Sequence, residues 1–163
     1  MITGLFLRHF KTYQGLYFIP ICNDFNNKYS VFVGNNGIGK SSILESLDTY
    51  FNNANWNKNK AGKKDEAFVA PVFLVRKEHL VTKIKNQKAI DFITFLSDYF
   101  WNASQDINPN LNSPEFNSFF QYKDELKHRY NPEEYLLFII GITYQDKNKV
   151  FFSTFTKDIV KNI

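Results

Sequence analysis

The sequence predicts an α/β fold, and three observations carry that expectation. VFVGNNGIGKSSILESLDTYF, residues 31–51, runs from an apolar segment through a glycine-rich loop into helical spacing. Apolar or alternating runs at 2–10, 67–77 and 135–144 have strand character. Segments 88–101 and 113–130 carry apolar residues at the spacing of amphipathic helices. A mixed, partly antiparallel sheet wrapped on the helix after the glycine loop is the expected architecture.

The elements follow in order. ITGLFLRHF (2–10) reads as a strand and LYFIPIC (16–22) as a second, with Gln14-Gly15 as the turn before it. Pro20 marks that second strand as an edge or a bulge. YSVFV (29–33), β-branched and aromatic, reads as a buried strand. The helix from Lys40 to about Phe51 places Ile43, Leu44, Leu47, Tyr50 and Phe51 on one stripe. Residues 52–66, rich in Asn and Lys, read as a mobile surface loop. The helical segment spans 84–130. Its first helix presents Ala89, Phe92, Ile93, Leu96 and Phe100; its second starts at Ser113-Pro114 and presents Phe116, Phe119, Phe120 and Leu126. Residues 135–155 read as a hairpin turning at 145–148.

The chain has 163 residues, the size of one domain, and 44% of them are hydrophobic. That is a globular composition with material for a core. The single cysteine, Cys22, excludes an internal disulfide framework and a Cys-based metal site. No run approaches the roughly 18 apolar residues of a membrane span, and the N-terminus lacks the apolar core of a signal peptide. A cytoplasmic protein with no membrane association is expected. A net charge of +4 permits nucleic-acid binding without arguing for it.

The chemistry sits in Gly34-Asn35-Asn36-Gly37-Ile38-Gly39-Lys40-Ser41, which satisfies G-x-x-x-x-G-K-[ST]. Glycines at 34, 37 and 39 allow backbone angles closed to other residues and let the main chain approach phosphate closely. Successive N–H groups form an anion nest at a helix N-terminus. Lys40 reaches β- and γ-phosphates, and the Ser41 hydroxyl can ligand Mg²⁺. ATP and Mg²⁺ are the expected cofactors. The competing reading is a strand-to-helix turn that holds nothing.

HFKTY (9–13), a second strand, and then VFVGNNGIGKSSILESLDTYF resemble the N-terminal lobe of ABC-type P-loop ATPases of the SMC/RecF/RecN and OLD groups. The resemblance covers residues 2–51, extends plausibly to 67–77, and is weak beyond about residue 80. It implies an ABC/SMC-head-like mixed sheet around the Walker A helix, present as the N-terminal lobe only. It implies nucleotide-cradling positions at Asn36 to Ser42, with Ser42 near the α-phosphate and Lys11 as a basic residue near the nucleotide. It implies a role in DNA processing, DNA repair or antiviral (phage) defence, OLD-like ATPases being the nearest group. In those families the nucleotide lies between two subunits, so a homodimer or larger assembly is expected.

Hydrolysis needs a carboxylate at the end of a buried strand. The apolar run 136–143 leads only to Tyr144-Gln145-Asp146, where Asp146 reads as a turn residue. Gln145 resembles the Mg²⁺-sensing glutamine of ABC-type ATPases or is a solvated turn residue. No LSGGQ-like signature occurs. A missing C-terminal ATPase lobe, or a partner protein such as a nuclease or toxin, would supply the rest. The alternative is a non-catalytic, nucleotide-stabilised adaptor that assembles with such a partner. A nucleotide kinase ranks low, because the chain has only three arginines: Arg8, Arg76 and Arg129. His9, His79 and His128 show no ligand spacing. Lys58, Lys60, Lys63 and Lys64 with Trp56 suit either a solvated loop or contact with DNA.

Overall fold

Side chains along β1 (Ile2–Phe10) alternate between two cores, which is the period-two rule of a strand covered on both faces. Leu5 and Leu7 join one cluster and Phe6 the other. A computed structural model describes residues 1–26, 29–104, 113–146 and 150–151. The remaining elements are β2 (Tyr13–Pro20), α1 (Lys40–Asn52), a short 3-10 turn (Lys64–Glu66), β3 (Phe68–Arg76), α2 (Lys77–Val81), α3 (Gln87–Asn102), α4 (Pro114–Arg129), β4 (Tyr135–Thr143) and the two-residue β5 (Val150–Phe151). The sheet order is β2-β1-β3-β4-β5, and every neighbouring pair is antiparallel. Helix α1 packs on one face with Leu5, Leu7, Phe10, Val69 and Ile142. Helices α3 and α4 cover the other, where Phe6, Val72, Leu74, Leu96, Phe100, Phe119 and Leu126 are buried. The fold is α/β in three layers.

The expected mixed sheet is corrected: among the described residues the sheet is wholly antiparallel, unlike the parallel-rich core usual in P-loop proteins. The expected strand at Tyr29–Val33 is absent from it. Composition reports β-propensity but not whether a neighbour exists to pair with, and a strand needs the neighbour. Both sides of β1 are taken, by β2 and β3, and β4 continues from β3. Phe32 alone tucks toward the α1 core, while Val31 and Val33 are 81% and 89% exposed.

The first turn also shifts. It falls at Lys11–Thr12, and Gln14-Gly15 lies inside β2. His9 (φ 53) and Lys11 (φ 50) take the left-handed backbone usually left to glycine, and the register slips between Arg8 and Phe10. Pro20 sits at the end of edge strand β2, as its missing donor requires.

Helix α1 splits its apolar stripe: Ile43 and Tyr50 are buried, whereas Leu44 and Phe51 are exposed. The small residues Ser42, Ser46 and Thr49 are buried instead, letting the helix approach the sheet closely. The face of α3 also rotates toward its C-terminal half. Leu96, Ser97, Phe100 and Trp101 are buried, while Phe92 is exposed. Ser97 Oγ accepts from the Leu137 amide at 2.9 Å, and Trp101 Nε1 donates to the Tyr135 carbonyl at 2.9 Å. These bonds tie the C-terminal half of α3 to β4 and satisfy its buried polar groups. Helix α4 begins as expected, with the Ser113 side chain accepting from the Phe116 amide and Pro114 in the first turn. β4 pairs with β5; the rest of the expected turn and second strand, at 147–149 and 152–155, lies outside the described residues.

Candidate phosphate-binding cleft

The glycine loop meets α1 at Gly39, whose φ of 107° only glycine holds without strain. Gly37 is likewise left-handed, at φ 83°. A Cβ on Gly39 would lie 2.9 Å from Tyr13 Oη and 3.0 Å from Thr12 Oγ1, so the β1–β2 turn is pressed against the loop. Tyr13 Oη donates to the Gly39 carbonyl, and Thr12 Oγ1 lies 3.3 Å from Ser42 Oγ. The close fit leaves a cleft of about 210 Å³ lined by Lys11, Thr12, Asn36, Gly37, Gly39, Lys40, Ser41 and Ser42.

Seven of the residues singled out in the sequence thus share one surface: Lys11, Asn36, Gly37, Gly39, Lys40, Ser41 and Ser42. Gly34 and Asn35 touch it through their carbonyls, which accept from Lys40 Nζ, the Asn35 bond at 2.7 Å. Ile38 points outward and is largely exposed. Gln145 does not line the cleft; its Nε2 donates to Asp65 Oδ1 at 2.8 Å. Asp146 closes a turn with Thr143, its amide donating to Thr143 Oγ1 at 2.9 Å.

Four residues to which the sequence assigns no role line the cleft or hold the turn that carries Lys11: Thr12, Glu45, Asn57 and Asn59. Thr12 lines the cleft directly. Glu45, one turn into α1, is ion-paired with Lys11 and accepts from Asn57 Nδ2 at 3.0 Å. The Lys11 and Asn57 hydrogen bonds hold the Glu45 carboxyl below the usual carboxylate value. Asn57 in turn accepts the Lys11 amide on its carbonyl, and Asn59 Nδ2 donates to the Lys11 carbonyl. The Asn/Lys-rich segment is therefore strapped to the turn that carries Lys11. Its Trp56 packs edge-on against Phe10 and Tyr144. No sequence-local signal predicts these pairings, because Lys11 and Glu45 are 34 positions apart.

The donor set suits phosphate: two ammoniums, three hydroxyls and a glycine-rich main chain at a helix N-terminus. Among the described residues no group of three or more His, Cys, Asp or Glu could hold a metal ion. A cation here would therefore rely on one serine hydroxyl, phosphate oxygens and water, which is the habit of Mg²⁺ at nucleotides. No carboxylate lines the cleft. No helix of the described residues is long and apolar enough to cross a membrane. Comparison with protein-family models, curated proteins and solved structures finds no match to this chain.

Proposed function

We propose that the chain is the ATP-binding lobe of an ABC/OLD/SMC-like P-loop ATPase acting in DNA processing, repair or anti-phage defence in the cytoplasm. The observation that carries this reading is the convergence of Lys11, Lys40, Ser41 and Ser42 on one cleft with the left-handed Gly37 and Gly39. In it, the main chain at 36–40 and Lys40 hold the triphosphate, and the Ser41 hydroxyl orients the Mg²⁺ that neutralises the phosphates. Lys40 exchanges the Gly34 and Asn35 carbonyls for phosphate oxygens, a trade of neutral acceptors for charged ones. The cleft is smaller than the roughly 300 Å³ of ordinary ligand pockets, so it suits the phosphates and leaves the nucleoside on the surface.

A water-activating acid belongs to another segment in this reading, supplied by a C-terminal lobe or a partner, with two copies closing on the nucleotide. The absence of a carboxylate from the cleft lining also favours a second reading, an adaptor that binds nucleotide without turnover and assembles with a nuclease or toxin. Calorimetry with Mg-ATP, with phosphate release followed in parallel, tests both. Binding that disappears in Lys40→Ala supports the site, and unchanged affinity in that variant sinks it. Binding without release, converted to turnover by an added lobe, separates the ATPase from the adaptor.

A further inference from the structure

Lys11 stands between the phosphate cleft and the strap at 53–62, and each has a hold on it. Its side chain lines the cleft, yet the ammonium is paired with Glu45 of α1. Its main chain is held by the strap. The Lys11 amide donates to the Asn57 carbonyl at 2.6 Å, and Asn59 Nδ2 donates to the Lys11 carbonyl at 2.7 Å. The Asn59 amide adds a bond to the His9 carbonyl at 2.9 Å. Together they keep Lys11 at φ 50, a left-handed backbone that a lysine does not hold unaided. Glu45 closes the circuit, since its second carboxylate oxygen accepts from Asn57 Nδ2 at 3.0 Å. The strap's other fastenings are weak. It leaves α1 through Asn53, at φ 54, and Thr49 Oγ1 reaches the Asn55 carbonyl only at 3.4 Å. Trp56 packs against Phe10 and Tyr144, but its Nε1 is buried with no hydrogen-bond partner among the described residues, which works against keeping the ring seated.

We infer that the strap is a sensor of cleft occupancy: when a phosphate chain enters, Lys11 exchanges Glu45 for phosphate oxygens, and the strap, which Glu45 held through Asn57, loosens. Charge drives the exchange. A polyphosphate offers the ammonium more negative charge than one carboxylate does. Glu45, left without its cation beside a new anion, is repelled, and Asn57 is drawn off its place with it. The strap is thus the element with two arrangements, and the cleft is the site that biases it. The coupling is reciprocal: whatever frees the strap also strengthens phosphate binding. It answers to occupancy and needs no hydrolysis, so it serves an ATPase and a nucleotide-held adaptor alike. The inference deepens the reading above and rests on it for the identity of the ligand.

The probes are Mg-ATP and inorganic tripolyphosphate, with binding measured by calorimetry and amide hydrogen exchange followed on the same samples. At saturation, exchange of the Asn59 and Gly62 amides, bonded to the His9 and Asn59 carbonyls, is expected to quicken about threefold. Glu45→Gln still accepts a bond from Asn57 but no longer pairs with Lys11, so it is expected to bind both probes with these amides unmoved. Asn57→Ala cuts the strap from Glu45. Its strap is expected to exchange fast without ligand, and its affinity to rise by no more than the factor by which ligand quickens the wild type. Both side chains are exposed, so neither change disturbs the core, and unaltered far-ultraviolet dichroism checks this. Bound ligand that leaves the wild-type amides unchanged or slows them would overturn the inference. So would equal quickening in Glu45→Gln. Tripolyphosphate that loosens the strap where Mg-ATP does not bind keeps the inference and removes the ATPase reading. Mg-ATP that binds with the strap unmoved does the reverse, and binding of neither probe overturns both.

Discussion

The Lys11 ammonium, on the edge of the cleft, is ion-paired with the Glu45 carboxylate on α1. The same carboxylate holds Asn57, so one acid ties the cleft's outer cation to the strap at 53–62. Lys11 can therefore meet an incoming phosphate only by sharing or leaving Glu45. Glu45→Gln removes this competition. Mg-ATP affinity is expected to rise about two- to fivefold, the scale of an exposed ion pair, and calorimetry reads it directly. An unchanged or lower affinity would show that Lys11 does not face the phosphates.

The same pair has a pH signature. The folded-state value of Glu45 lies below its ordinary 4.5. A carboxyl depressed in this way contributes stability that is present above the ordinary value and is lost as pH falls through the lowered one. The stability difference between the wild type and Glu45→Gln is thus expected to be constant near neutrality and to shrink on acidification below 4.5. Urea denaturation at a series of acid pH values measures it.

Gly39→Ala tests the cradle without touching its charge. The added Cβ would crowd Tyr13 Oη and Thr12 Oγ1 at a φ of 107°. Strain on the order of 1–2 kcal/mol is expected, with ATP affinity falling roughly tenfold because the turn and the loop can no longer meet. Tyr13→Phe keeps the ring and removes only the hydroxyl's bond to the Gly39 carbonyl, so a smaller loss is expected there.

Lys123 is 3% exposed on α4, with Nζ donating to the Ala103 carbonyl beyond the end of α3. Burial, the largest cause, pulls its value down from 10.5 to about 8, with Asp124 opposing the change. Between those two values the unfolded chain holds the proton and the folded one does not, so stability attributable to Lys123 rises with pH across that window. Relative to Lys123→Met, the wild type is expected to gain about 3 kcal/mol between them, the span of such a shift. Tyr50 and Tyr122, both pushed up to about 12 by burial, titrate in both proteins and cancel in the difference.

The α4 face carries the larger core. Phe119 is fully buried, its ring 5.2 Å from Phe6 and 5.4 Å from Phe18. Phe119→Ala is expected to cost about 4 kcal/mol by transfer and cavity terms together. The denaturant midpoint should fall while the slope stays fixed.

What the sequence by itself determined is local. The glycines at 37 and 39, Lys40 and the serines lie within one turn of each other, and steric rules assign their backbone before any fold exists. The Ser113-Pro114 start of α4, the strand at Phe68–Arg76 and edge placement of Pro20 are local in the same sense. Only the tertiary structure decided the rest. Left-handed His9 and Lys11 moved the first turn, because bonds from the strap at Asn57 and Asn59 hold that backbone. Glu45 reached the cleft's Lys11, a partner 34 positions away, without lining the cleft itself. Tyr29–Val33 has the composition of a buried strand, but burial is a property of neighbours, and here the neighbouring positions are taken by β1, β3 and β4 pairing among themselves. Side-chain type sets what a segment can do; which faces meet is settled by the sum of long-range pairings, and that sum is not written in any one stretch of the chain.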